Sequence, residues 1–166
     1  MTGKIQTELR QSKVFGRPSE EAVLNILRTS DVMTQLLTDL LKPAGLSPTQ
    51  YNVLRILRGA AGKGVCCCRQ IGERLITRDP DVTRLIDRLE KRNFLVRTRE
   101  QGDRRFVTIQ LTSFGLEQVN QLDDPIEKWN RKLMRNISSG ETKVLIGLLE
   151  RLRVQLERFS PLDEPL

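Results

Sequence analysis

Apolar residues recur along this chain at two periods, and the switch between them divides the sequence into elements. From Pro18-Ser19 onward, Val23, Leu24, Leu27, Met33, Leu36, Leu37, Leu40 and Leu41 fall at helical spacing. Glu20 and Glu21 lie in the first turn, where negative charge suits the helix dipole. The stripe is wide, which predicts a helix buried on more than one side; Pro43 and Gly45 stop it. Ser47-Pro48-Thr49-Gln50 starts a second helix, with Ser47 as cap, Pro48 at the first helical position and Gln50 completing a capping box. Tyr51, Val53, Leu54, Ile56 and Leu57 supply its apolar positions. Gly59, Gly62 and Gly64 mark a loop. Val65 to Cys68 reads as a short extended piece, and Gln70 to Ile76 as a third helix with Ile71 and Leu75 inward.

Asp79-Pro80 is expected to open a fourth helix, a capping residue followed by proline. Val82, Leu85, Ile86 and Leu89 stand at i, i+3, i+4 and i+7 and form one buried stripe. Asp81, Thr83, Arg84, Asp87, Arg88 and Lys91 occupy the other positions. Asn93 falls where this helix ends, and asparagine tolerates the left-handed backbone that such an end often needs. The period then changes. Leu95 to Glu100 and Arg104 to Leu111 are β-prone, with Val107, Ile109 and Leu111 alternating with Phe106, Thr108 and Gln110, and Gln101-Gly102-Asp103 reads as the turn of a hairpin. Ser113 to Asn136 returns to helix, kinked or interrupted at Asp124-Pro125. Ser138 and Glu141 form a capping box before a last helix. Its Leu145, Leu148, Leu149, Leu152 and Leu156 line one face, continued by Phe159, and Pro161 and Pro165 end the ordered chain.

Composition narrows the function. The 166 residues suit one compact domain with terminal extensions, and the net charge of +7 points to a polyanionic partner, nucleic acid before an anionic membrane. No apolar run approaches the ~20 residues needed to cross a bilayer, and Met1 to Gln11 holds no apolar signal core, so a cytoplasmic protein is expected. The chain has no histidine. That removes Ser-His and Cys-His catalysis and His-dependent metal sites. No phosphate-binding glycine loop, cofactor motif or metal site emerges, and an enzyme is not expected.

The informative unit lies in the middle: two short helices joined by a tight turn, then a hairpin. The second helix of such a pair fits the DNA major groove. Its polar face, with Asp81, Thr83, Arg84, Asp87, Arg88 and Lys91, carries groups that reach phosphates and base edges. The hairpin adds Arg97, Arg99, Arg104 and Arg105, and a narrow minor groove attracts inserted arginine. The chemistry predicted is sequence-specific binding of double-stranded DNA.

The segment Asp81-Val82-Thr83-Arg84-Leu85-Ile86-Asp87-Arg88-Leu89-Glu90-Lys91 resembles the recognition helix of the multiple-antibiotic-resistance regulator (MarR) family. Asp103-Arg104-Arg105 through Leu111-Thr112, with Gly115 shortly after, resembles that family's wing. The resemblance implies a mainly α fold with a small β-wing. A winged helix-turn-helix lobe over residues 47–112 would be flanked by dimerisation helices, intertwined between two chains, over 1–46 and 113–166. It implies a homodimer on a pseudo-palindromic operator, a ligand-responsive repressor with a small aromatic or phenolic effector. It implies too that Arg105 enters the minor groove while Asp103 orients the wing by pairing with an arginine. Asn93 departs from the glycine usual in the family.

Cys66, Cys67 and Cys68 admit more than one role. They serve as small buried hydrophobes, with Cys66 and Cys68 on one face if the segment is extended, or as a thiol switch or soft-metal site beside the reading helices. Oxidation of cysteine performs the switching role in some members of the family. Contiguity without histidine argues against zinc. Tyr51 and Trp129 belong to the core or line a ligand pocket. Two further alternatives stand against a DNA-binding regulator: a winged-helix module that binds protein, and a thiol-dependent enzyme, which lacks a base partner.

Overall fold

The computed structural model describes residues 4–12, 15–61, 67–77, 81–99 and 107–157. Cys66, Asp79, Pro80, the hairpin turn with Asp103, Arg104 and Arg105, and the chain end with Phe159, Pro161 and Pro165 lie outside the described residues. The elements are α1 (Lys4–Glu8), α2 (Pro18–Leu41), a 3₁₀ turn (Lys42–Ala44), α3 (Pro48–Ala60), α4 (Cys68–Arg74), α5 (Val82–Lys91), β1 (Leu95–Arg99), β2 (Val107–Leu111), α6 (Ser113–Gln121), α7 (Asp123–Leu133) and α8 (Ser139–Glu157). The chain forms two compact units, residues 1–122 and 123–166.

In the first unit, α3 is the central element, in contact with α2, α4, α6 and β2. Its start is closed from both sides: Gln50 N–H donates to Ser47 Oγ at 3.2 Å and Ser47 N–H donates to Gln50 Oε1 at 3.0 Å. Tyr51, Val53, Leu54, Ile56 and Leu57 are buried, and Ile71, Leu85, Ile86, Leu89, Phe94, Leu95 and Ile109 complete the core around them. Tyr51 therefore packs inside. Gly59, expected in a loop, falls in the last turn of α3. The 3₁₀ turn ends at Gly45, whose φ of +64° is the left-handed backbone that glycine adopts freely.

The strands pair antiparallel with Leu95 opposite Leu111 and Arg99 opposite Val107. At the open end of this hairpin the chain turns into α6 through a close approach. Thr112 caps α6 by accepting from Gly115 N–H at 2.9 Å, and its own N–H donates to Phe94 O at 3.1 Å. A Cβ on Gly115 would lie 1.9 Å from that carbonyl, so no side chain fits there without moving backbone. That accounts for the glycine four residues beyond the second strand's end.

Helix α2 departs from expectation. Of its residues only Leu41 is buried, while Leu27 is 61% exposed, and Val23, Ile26, Met33 and Leu36 are also exposed. A wide stripe states that a helix needs cover on several sides; it does not state that the same chain provides it.

The break expected at Pro125 falls at Leu122, the last residue of the first unit; in the second unit Pro125 sits in the first turn of α7, where a missing N–H costs nothing. Asp123 and Asp124 open α7, and Arg131 and Lys132 close it, matching the dipole. Helix α8 begins with the expected box: Glu141 Oε2 accepts from Ser138 N–H at 2.8 Å and from its hydroxyl at 2.6 Å. None of its residues is buried, and Val144, Leu145, Ile146, Leu148, Leu152, Val154 and Leu156 are exposed. No described helix is long and apolar enough to cross a membrane.

Candidate nucleic-acid interface

Helix α5 shows two unlike faces. Leu85, Ile86 and Leu89 are buried, with Val82 half-buried. Thr83, Arg84, Arg88 and Lys91 are exposed on the other side. The helix begins later than Asp79-Pro80 suggests. Asp81 has φ −127° and ψ 59°, outside the helical region, and its Oδ1 accepts from Arg84 N–H at 3.0 Å. Asp81 is thus the N-cap, engaged with the first turn, and not a member of the helical face on which the sequence places it. Asn93 ends the element with φ +61°, the left-handed conformation expected of it.

Helix α4 ends at Arg74, short of the Ile76 expected from the sequence, and α5 starts at Val82. Ile76 N–H donates to Asn52 Oδ1 at 2.9 Å, which ties this segment to α3 and holds α4 and α5 against the core.

The acids and bases distribute in a way the sequence does not reveal. Asp87 belongs to the polar face of α5, yet its carboxylate meets Arg97 of β1 at 2.6 Å. Glu90 takes the other nitrogen at 2.6 Å and also accepts from Arg97 N–H at 3.0 Å. Burial pulls the Arg97 guanidinium toward its neutral form; the Asp87 and Glu90 hydrogen bonds and charges outweigh it, and its pKa stands above the ordinary value. Glu73 of α4 pairs with Arg69 of the same helix at 2.9 Å. Arg84, Arg88 and Lys91 therefore form no ion pair among the described residues. Arg97, counted with the hairpin's free cations on sequence grounds, is an internal bridge.

Arg92 makes a second bridge that the sequence pattern does not single out. Its guanidinium donates to Gly45 O at 2.8 Å and lies 4.8 Å from the Phe94 ring centroid, linking the end of α5 to the turn after α2. The signal for both bridges is weak: an arginine just past a helix end, with its acceptor either seven residues back or a distant backbone carbonyl.

Cys67 and Cys68 are half-buried free thiols. Cys67 caps α4, its N–H donating to Gln70 Oε1 at 3.0 Å, and Cys68 is the first helical residue. Cys68, expected in an extended piece, is helical instead, because Gln70 closes the start of α4 at Cys67; Val65 and Cys66 lie outside the described residues. Among the described residues no group of three metal-ligating side chains gathers.

Comparison with known proteins agrees with this geometry. A model of the MarR family matches residues 44–105, a stretch that takes in α3, α4, α5 and β1. The HTH-type transcriptional regulator YkoM of Bacillus subtilis strain 168 is 34% identical over 157 residues, covering 94% of this chain and 92% of that one. The chain belongs to the MarR family. It is a DNA-binding transcription regulator with a winged helix-turn-helix, and not an enzyme. Two solved structures share the fold. The DNA complex of Staphylococcus aureus MepR has a TM-score of 0.71 at 19% identity, with 81% of this chain and 95% of MepR covered. The organohalide-sensing regulator RdhR, bound to 2,4-dichlorophenol, has a TM-score of 0.75 at 19% identity, with 84% and 81% covered. Within this MarR-family fold, α4 and α5 are the helix-turn-helix pair and β1–β2 the stem of the wing.

Proposed function

We propose that this MarR-family chain acts as a cytoplasmic, ligand-responsive homodimeric repressor that reads a pseudo-palindromic operator, with α5 in the major groove and the wing in the adjacent minor groove. One observation carries the placement of α5. Its exposed face offers Arg84, Arg88 and Lys91 unpaired among the described residues, while the neighbouring acids are occupied by other partners. Cations left free beside a network that could have neutralised them suit phosphates and guanine edges. Thr83 faces the same way and suits a thymine methyl or a phosphate. Asp81 and Asp87 act from the protein side, one capping α5 and one holding Arg97. Asp103, Arg104 and Arg105 keep the wing roles that the family resemblance implies.

Dimerisation is supported by the apolar residues left exposed on α2 and α8, residues 1–46 and 113–166 being the dimerisation segments around a DNA-binding lobe at 47–112. Apolar residues left exposed along a helix face suit an interaction site, and a two-fold dimer buries the same patch twice. A small aromatic or phenolic effector is supported by the 2,4-dichlorophenol held by the structurally similar RdhR.

The test is binding to an operator selected from genomic fragments, measured at several salt concentrations with circular dichroism as the folding control. Arg84→Ala should weaken binding by ~1–3 kcal/mol if the residue reads a base. Arg105→Ala should weaken binding to many sequences and flatten the salt dependence, each phosphate neutralised contributing ~0.9 to the log–log slope. Two folded variants that bind like the parent would make α5 and the wing the wrong surface, and a protein-binding winged helix the better reading.

A further inference from the structure

The bridge between Arg97, Asp87 and Glu90 stands apart from the reading face but joins its two halves. Asp87 and Glu90 lie on α5, and Arg97 lies on β1, the first strand of the wing stem. The guanidinium spans both carboxylates, at 2.6 Å each, with Nη2 reaching Asp87 and Nη1 reaching Glu90. Glu90 makes a second contact, accepting from the Arg97 backbone N–H at 3.0 Å, so it holds the strand's main chain as well as its side chain. At the far end of the same strand-helix junction, Phe94 N–H donates to Leu89 O at 3.0 Å. The wing stem is therefore fastened to α5 at two points, one within the turn and one across it. The Arg97 side chain is only 24% exposed, which favours a defined geometry over a loose surface pair.

We propose that Arg97 and Glu90 are positioning residues for operator recognition: they clamp the wing stem to α5 and so set the spacing between major-groove and minor-groove contacts. The proposal rests on the reading of α5 and the wing as the DNA-binding surface. A rigid helix–wing unit engages an operator of one geometry, because both contacts must be met at once. Loosening the clamp leaves each contact available but no longer registered with the other. Operator affinity then falls while affinity for random duplex, which depends on charge more than on register, is retained.

Breaking the clamp from either side separates this role from charge. Glu90→Ala removes a negative charge and Arg97→Met removes a positive one. By charge alone, the first tightens binding to every DNA and the second weakens it, with the ratio of operator to random affinity unchanged. By loss of registration, both lower that ratio, by roughly tenfold, about the discrimination one mismatched base pair costs. Glu90→Gln retains an acceptor for the Arg97 N–H and should keep the ratio close to the parent's.

The experiment is competitive titration of the full chain and the three variants against an operator selected by the parent from a random duplex library, with random duplex as competitor. The expected result is a reduced ratio for Glu90→Ala and Arg97→Met and a preserved one for Glu90→Gln. Unchanged ratios with opposite shifts in affinity would overturn the clamp and leave a charge effect. Should Arg97→Met fail to fold, the contrast between Glu90→Ala and Glu90→Gln decides alone, since both add the same charge. A parent without preference for any duplex would instead sink the underlying reading of α5 and the wing.

Discussion

Helices α5 and α8 carry similar apolar stripes and meet opposite fates. Leu85, Ile86 and Leu89 of α5 are buried by α4, β1 and the core around α3, all from the same chain. Leu145, Leu148, Leu152 and Leu156 of α8 stand at the same kind of spacing and remain exposed, Leu148 by 53%. The winged lobe finishes its core within one chain, and α8 presents a face that one chain leaves open. A hydrophobic stripe reports that a helix wants cover, and the supplier of that cover is decided by the rest of the fold.

Removing a core residue should give the largest effect and the one least sensitive to concentration. Ile86→Ala leaves a cavity in the finished lobe and should lower stability by about 2–5 kcal/mol. Chemical denaturation at two protein concentrations checks it: the loss relative to the parent should be the same at both. A loss that varied with concentration would mean that the lobe is completed by a second chain, and the contrast with α8 would disappear.

Leu148→Glu should behave the other way. Burying a leucine at an interface contributes about 1.5–3 kcal/mol, so a charged residue there should weaken self-association by roughly ten- to hundredfold or more. Sedimentation of the parent at micromolar concentration should show about twice the 19.1 kDa chain mass, and the variant should shift toward a single chain. The variant's circular dichroism should retain the lobe's helical signal. A parent that sediments as one chain would show that the exposed face of α8 is not a dimer surface.

A smaller effect sharpens the description of α5 itself. Asp81→Ala removes the oxygen that accepts from Arg84 N–H and should cost about 1 kcal/mol. Asp81→Asn, which retains an acceptor, should cost less. If the alanine and asparagine variants fell equally in thermal unfolding, Asp81 would matter for charge and not as a cap.

The smallest effect belongs to α8 and depends on pH. Hydrogen bonds from the Ser138 hydroxyl and backbone hold Glu141 below the usual carboxylate range. A depressed folded-state pKa contributes stability above the unfolded value, about 4.3 for glutamate, and that contribution fades as pH falls through the folded value. Thermal unfolding followed by helical circular dichroism from pH 6 to pH 3 should show the parent losing its advantage over Glu141→Gln. Parallel profiles for the two would remove the capping box from the account of α8.

Much of the fold was legible before any coordinates. The caps at Ser47-Gln50 and Ser138-Glu141 are local hydrogen-bond chemistry, written within four residues, and so is the left-handed end at Asn93. The buried stripe of α5 follows from periodicity alone, whereas β2 departs from strict alternation, Thr108 being buried beside Ile109. The face bearing Thr83, Arg84, Arg88 and Lys91 follows as the complement of that stripe. Less local features were misplaced. The start of α5 moved to Val82 because Asp81, two residues past the expected cap, has the carboxylate that closes the first turn. Cys68 moved from an extended piece into α4 because Gln70 reaches back to the Cys67 N–H.

By itself the amino-acid sequence determined the order of elements, their caps, their apolar faces and the chemistry available on α5, because each depends on residues within about two helical turns. Only the tertiary structure decided which charges stay free. Asp87 could have neutralised Arg84 (i,i+3) or Lys91 (i,i+4) on its own helix, and helical spacing favours such pairs. The hairpin instead folds back and brings Arg97 to Asp87 and Glu90, so three cations of α5 are left without an acid partner among the described residues. Ion pairs form between whatever groups packing brings together: Leu89, Phe94 and Leu95 in the core lay β1 against α5, and that brings Arg97 within reach of the carboxylates that then hold it.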